Sequence, residues 1–121
     1  MNTNKPPSPR RGEVWRVNLD PTLGAEMKKI RPAVVISSDA VGILPVKLIA
    51  PITKWKDWFK GLTWLVPLNP DGNNGLTEDS AVDTLQVRGI SIERFIEKKG
   101  QVTASQLEEI CTAVAIVIEA Q

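Results

Sequence analysis

Glu13-Val14-Trp15-Arg16-Val17-Asn18-Leu19 is the stretch from which the fold is read, because Trp15, Val17 and Leu19 alternate with Arg16 and Asn18. A period of two sends successive side chains to opposite faces, so this segment is a half-buried strand and not a helix. Asp20-Pro21 ends it, and Pro21 to Ile30 reads as a charged loop containing Gly24. Ala33 to Ile36, with Pro32 before it and Ser37-Ser38-Asp39 after, is a short apolar, mostly β-branched run of the kind found in buried strands. Val46 to Ile52 is another, with Pro51 near its end, where a missing N–H is tolerable. Leu62 to Leu68 alternates again and runs into Asn69-Pro70-Asp71-Gly72-Asn73-Asn74-Gly75, a dense cluster of turn residues. Ala81 to Ile90 is expected to be one longer strand, bent or bulged near Gly89. Ser91 to Phe95 suits a helical turn, and Glu97 to Val102 a short last strand.

The long helix is C-terminal. Thr103 and Gln106 have capping-box spacing, with Val102 and Leu107 at the staple positions. Leu107, Ile110, Cys111, Val114 and Ile118 recur at helical spacing and form one apolar stripe, on which Cys111 reads as a small core residue. Several short strands and one amphipathic helix define a mainly β, α+β protein: a small, strongly curved β-barrel with the helix packed on it. Met1 to Arg11, with three prolines, reads as a flexible arm ahead of a single domain over residues 12–121. A barrel this small has little interior, so dimerisation is a natural way to cover further apolar surface.

Composition narrows the chemistry. The 121 residues are 42% hydrophobic and 24% charged, as in an ordinary globular domain. No apolar run is long enough to cross a bilayer and the N-terminus has no signal-peptide core, so a cytoplasmic protein without a membrane partner is expected. There is no histidine and only one cysteine, Cys111. Ser-His and Cys-His pairs, disulfides and cysteine-based zinc sites are thereby excluded, leaving carboxylate-only metal sites. Catalysis otherwise falls to Arg, Lys, Glu, Asp, Thr or Ser. The net charge of +1 conceals an asymmetry: up to Lys60 there are 11 Lys/Arg against 5 Asp/Glu, and from Gly61 onward 4 against 9. Unless the halves mix in space, such a distribution offers a basic surface to an anion.

Four stretches together resemble the MazF/PemK toxins. They are Arg11-Gly12-Glu13-Val14-Trp15 with Leu19-Asp20-Pro21-Thr22 and Gly24-Ala25-Glu26; Arg31-Pro32-Ala33-Val34-Val35-Ile36-Ser37; Ala50-Pro51-Ile52-Thr53; and Asp79-Ser80-Ala81 with Gln86-Val87-Arg88 and the Leu107-Glu108-Glu109-Ile110 helix. The resemblance implies an SH3-like barrel of the CcdB/PemK kind, a homodimer, and sequence-specific cleavage of single-stranded RNA without a metal or other cofactor. It also implies a MazE-like antitoxin whose C-terminal segment folds over the RNA groove. In such proteins the Arg of the Arg-Pro motif and the Thr ending the Pro-Ile-Thr strand are catalytic, which here are Arg31 and Thr53. Glu26 and Gln86 match supporting positions. Ala25 departs from the usual Ser, and Gly89 and Ser91 from the usual Thr and Asp, departures that bear on rate and base preference.

The residues suit that chemistry unequally. Metal-free RNA cleavage is attack by a 2′-hydroxyl on its own phosphate; it needs a proton acceptor, stabilisation of a charged pentacoordinate phosphorus, and a proton for the leaving 5′-oxygen. The planar fork of Arg31 can hold two phosphate oxygens, but its pKa, above about 12, makes it a poor base. Thr53 can hydrogen-bond a nonbridging oxygen or orient the 2′-hydroxyl, and Glu26 is the candidate proton acceptor. Lys28, Lys29, Lys54, Lys56 and Lys60 come from the loops flanking Arg31 and Thr53, with Trp55, Trp58 and Phe59 among them. Cations beside aromatic faces are how single strands are held, so Lys28, Lys29, Lys54, Trp55, Gln86 and Arg88 are the RNA-binding candidates. The bland alternatives are an Arg31–Glu26 ion pair across a loop, Thr53 as a plain strand former, and aromatic residues that close the barrel or a dimer interface. At the level of function, the alternatives are a non-catalytic gyrase-binding toxin of the CcdB type and an inactive dimer that binds RNA or antitoxin.

Overall fold

The computed structural model describes residues 8–41 and 45–120. Among the described residues seven strands, β1 (Glu13–Asn18), β2 (Ile30–Val35), β3 (Val46–Lys54), β4 (Leu65–Leu68), β5 (Ser80–Asp83), β6 (Arg88–Ser91) and β7 (Phe95–Gln101), precede one α-helix, α1 (Ala104–Val117). All pairings are antiparallel, in the order β4-β5-β3-β2-β1-β7, with β6 also on β3.

β2 explains how so short a chain builds two cores. Ala33 and Val35 face one side of the sheet and Val34 the other, and all three are fully buried. On the first side they meet Val17 and Leu19 from the β1 segment, Ile49 of β3, Ile90 of β6 and Phe95 of β7. Five strands, β6-β3-β2-β1-β7, thus surround one apolar interior. A 3-10 turn over Ile92–Arg94 joins the two end strands, which gives the α+β, SH3-like architecture expected from the sequence. On the second side Val14, Val34, Ala50 and Ile52 pack against Val66, Leu68 and Val82 of the β4–β5 pair and against Ile110 and Ala113 of α1.

The helix begins as its sequence dictates. The Thr103 hydroxyl accepts from Gln106 N at 3.1 Å and Gln106 Oε1 accepts from Thr103 N at 2.8 Å. Two details of its stripe differ from expectation. Ile118 lies just past the last turn and is 65% exposed, whereas Ala113 is buried in its place. Cys111 is only half-buried, with an Arg11 guanidinium nitrogen 3.4 Å from its sulfur, because it sits at the edge of the helix–sheet contact.

The expected long strand from Ala81 to Ile90 is in fact two. β5 pairs with β3 through Ile52↔Val82, and β6 through Ile49↔Arg88. A 3-10 turn over Thr84–Gln86 supplies the three extra residues between those registers. Three bonds hold it, one local and two to a distant segment: the Asp83 carboxylate accepts from Leu85 N at 3.0 Å, and the buried Thr84 gives both N–H (2.9 Å) and hydroxyl (2.7 Å) to Trp64 O. The interruption faces the Ala50-Pro51 step of β3, where proline has no amide hydrogen for a ladder. The break therefore lies five residues before Gly89, and alternation alone did not reveal it.

Most of the expected arm, Met1 to Pro7, lies outside the described residues. Its last residues are fastened: Arg10 N donates to Glu13 Oε1 at 2.8 Å, and Arg11 N to Asp39 Oδ1 at 2.9 Å.

Candidate active site

The β2–β3 register sets the geometry of the site. Ala33 pairs with Pro51 and Val35 with Ile49; carried two residues further, the same register brings Arg31 across from Thr53. Both residues line one cleft of about 330 Å³, together with Arg16, Lys54, Glu78 and Lys99. Four strands in succession, β7, β1, β2 and β3, thus each contribute a polar side chain to one opening.

Arg31 is half-buried and its Nε donates to Lys28 O at 3.0 Å. This leaves both terminal guanidinium nitrogens without a partner among the described residues, in the planar fork that suits two oxygens of one phosphate. No Arg31–Glu26 ion pair is found among those residues. The Thr53 hydroxyl makes no hydrogen bond there either, and since no buried side-chain polar atom is left unpaired, it faces solvent in the cleft.

The wall opposite is the turn cluster of residues 69–75 and the segment after it. The fully buried Asn74 donates to Asn69 O at 2.8 Å and accepts from Leu76 N at 3.0 Å, folding the turn on itself. The turn docks on β7 where backbones nearly touch: a Cβ on Gly100 would lie 2.1 Å from Asn73 O, and one on Gly75 would lie 2.3 Å from Lys99 O. Glu78 follows on the same wall and pairs with Lys54 at 3.5 Å.

Other sequence candidates stand elsewhere. The Glu26 carboxylate caps its own loop, accepting from Leu23 N at 2.6 Å, and does not line the cleft. Gln86 grips the same loop from the far side: Oε1 accepts from Met27 N at 3.1 Å and Nε2 donates to Ala25 O at 3.2 Å. Arg88 donates to Leu19 O at 3.3 Å, at the base of that loop. Gln86 and Arg88 therefore hold the β1–β2 loop in place. Lys28 and Lys29 are exposed on it; Lys29 has φ 70°, and its N–H is taken by Asp20 Oδ1 at 2.9 Å. Trp55 lies edge-on to Phe59, ring centres 5.6 Å apart, and faces α1 across a separate groove, away from Arg31. Phe59 is buried, whereas Trp58 is 69% exposed beside it.

Sequence reading missed Arg16, Lys99 and Glu78. Arg16 had a visible signal, as a polar position in the alternating first strand. Lys99 and Glu78 reach the cleft only through the docking of the turn on β7, a contact without a local signature. The two charge halves do meet in space, through Arg16–Glu97 at 3.1 Å, Lys98–Glu13 at 2.9 Å and Lys54–Glu78. Even so, the cleft lining carries four cations and one carboxylate.

Two carboxyls are shifted, and neither lines the cleft. Burial alone would raise Glu13, but hydrogen bonds from Trp15 Nε1 at 2.9 Å and Arg10 N, with the Lys98 ammonium beside it, hold it below the usual range. Burial raises Asp83 despite the amide bonds it accepts from Leu85 and Gln86. Among the described residues no group of His, Cys, Asp and Glu is arranged to hold a metal ion, and no helix is long and apolar enough to cross a membrane.

This fold and cleft define a class, and sequence comparison agrees with it. The profile of the PemK-like, MazF-like toxin of type II toxin–antitoxin systems matches residues 10–118, and the chain belongs to that family. It is 33% identical over 113 residues to the endoribonuclease MazF9 of Mycobacterium tuberculosis, covering 88% of this chain and 93% of that protein. The structure of MazF from Deinococcus radiodurans shares the fold, with a TM-score of 0.77 at 24% identity over 92% of this chain and 96% of that one. So does an endoribonuclease from a Mycobacterial species solved with its cognate antitoxin, with a TM-score of 0.74 at 19% identity over 94% and 98%.

Proposed function

We propose that this chain is the toxin of a type II pair, a homodimeric, metal-independent endoribonuclease that cuts single-stranded RNA at a short sequence. The observation that carries the proposal is the meeting of Arg31 and Thr53 in one cation-lined cleft, within a family whose relative MazF9 is an endoribonuclease.

The chemistry follows from what each group can do. A ribose 2′-oxygen forms a bond to the adjacent phosphorus and the bond to the 5′-oxygen breaks, leaving a 2′,3′-cyclic phosphate and a 5′-hydroxyl. Arg31 holds the nonbridging oxygens as charge builds on them, the contribution that dominates many such reactions. Thr53 orients the 2′-hydroxyl or donates to one of those oxygens. Two carboxylates are available to take the 2′ proton: Glu78 on the cleft wall, and Glu26, which must first release Leu23 N. The proton then returns to the leaving 5′-oxygen. Lys54 and, from the loop above, Lys28 and Lys29 attract the strand.

The partner in the cell is an antitoxin of the MazE kind, whose acidic segment competes for the same cations. The test is incubation of purified protein with long single-stranded RNA in EDTA. Cuts at one short sequence, absent in Arg31→Ala, are expected. Intact RNA together with inhibited gyrase would instead favour the CcdB-like alternative, and intact RNA with bound antitoxin an inactive dimer. Comparing pH–rate profiles of Glu78→Gln and Glu26→Gln assigns the proton acceptor to the variant that loses its acid limb.

A further inference from the structure

The cleft extends beyond Arg31 and Thr53, and its far end is built. Arg16 on β1 lies across from Glu97 on β7, and its Nε sits 3.1 Å from Glu97 Oε1. Lys99, two residues along β7 and so on the same face as Glu97, places its Nζ 3.8 Å from the same oxygen. One carboxylate thus braces two cations and cancels only one of them. Gly75 pressed on the Lys99 backbone fixes where that side chain starts, so the half-exposed lysine has the turn as a wall on one side and solvent on the other. Lys99 on β7 and Arg31 on β2 are two inter-strand steps of about 4.8 Å apart, roughly 10 Å at the backbone and more than one phosphate group spans, with Arg16 on β1 between them.

We propose that Arg16 and Lys99, positioned by Glu97, form a second phosphate subsite that holds the RNA backbone at a nucleotide neighbouring the one cut beside Arg31. The inference rests on the nuclease reading for its substrate and deepens it. The subsite grips a phosphate and touches no base, so it contributes affinity and alignment and no sequence preference. Its cations are assigned to a neighbouring phosphate and not to the scissile one, so their removal is expected to weaken binding more than it slows the chemical step.

The test uses full-length protein and a short RNA of the cut sequence carrying 2′-O-methyl groups, which block cleavage. Binding is followed between roughly 50 and 200 mM salt, where each single-strand phosphate contact contributes about 0.7 to the logarithmic slope. Arg16→Ala and Lys99→Ala are each expected to flatten the slope by up to about 0.7 and to weaken binding several-fold, with single-turnover cleavage of unmodified RNA at saturation within about twofold of wild type. Arg16→Lys keeps the charge and restores the slope, which separates lost contact from lost fold. Lys98→Ala removes the same charge from the same strand at a residue that pairs with Glu13 outside the cleft, and leaves the slope unchanged. Wild-type slopes in Arg16→Ala and Lys99→Ala, or a fall as large in Lys98→Ala, overturn the subsite while an Arg31-dependent nuclease stands. A slope that responds to Arg16 and Lys99 in a protein that cuts no RNA upholds the subsite and overturns the nuclease.

Discussion

Replacing Gly100 by alanine puts the docking of the turn on β7 to a quantitative test. Gly100 does not occupy the left-handed region, so its φ is no obstacle to alanine and the whole penalty is steric. The added Cβ would lie 2.1 Å from Asn73 O and 2.7 Å from Asn74 C. The first distance is about 1 Å short of ordinary carbon–oxygen contact. Neither neighbour can rotate away, because both are backbone atoms in a turn locked by Asn74, which is fully buried. The turn must lift. Doing so breaks the Gln101 N–Asn73 O bond of 3.0 Å, for about 1 kcal/mol, and adds overpacking strain of about 1–3 kcal/mol. The entropic gain from replacing glycine returns about 0.4–1 kcal/mol. The net cost is about 1–3.5 kcal/mol, or roughly 5–15 °C in melting midpoint for a chain of this length. Urea and thermal unfolding at fixed protein concentration measure it. Gly72→Ala is the control: it has φ 83° but nothing within 4 Å of the new Cβ, so it costs only about 1 kcal/mol of backbone strain. If Gly100→Ala proves as stable as wild type, or no worse than Gly72→Ala, the docking is not what holds the wall.

Two further outcomes follow from the site's surroundings. Glu13 has its folded pKa below the unfolded one, so its ionised form contributes stability that is fully present above roughly pH 4.3 and fades as pH falls through the lower, folded value. Glu13→Gln should therefore lose about 1–2 kcal/mol at pH 7 and show a shallower fall in acid, read from urea midpoints across pH 3–7; an unchanged acid slope would remove Glu13 as the cause. Gln86→Ala cuts both bonds to the loop at Ala25 and Met27. It is expected to raise amide hydrogen exchange over residues 23–29 and lower RNA cleavage about tenfold, and unchanged exchange there would show that the loop stands without it.

Where the sequence could be read and where it could not has physical causes. The capping box at Thr103 and Gln106 was legible because its bonds span three residues. The buried run of β2 was legible because burial on both faces removes polar alternation. The split of β5 from β6 was hidden, since it depends on Trp64 O receiving two bonds from Thr84, a contact between distant segments. In the candidate site, Arg31 and Thr53 were found through resemblance to a family, and no local pattern marked either. Gln86 and Arg88 are RNA-binding candidates from the sequence, but the bonds they make in the fold go to backbone groups of the β1–β2 loop, which no local pattern announces. Trp55 stands beside Lys54 in sequence, yet β3 ends at Lys54 and the chain turns away, so the two line different openings.

The central claim is that the guanidinium of residue 31 and the hydroxyl of residue 53 act together on one phosphodiester. A double-mutant cycle of single-turnover cleavage in EDTA, with wild type, Arg31→Ala, Thr53→Ala and the double variant, tests it most directly. Arg31→Ala is expected to lower the rate roughly 10²–10³-fold, with the double variant little slower than Arg31→Ala alone because both groups serve one transition state. Losses that multiply as if independent, or cleavage that survives Arg31→Ala, would contradict the account.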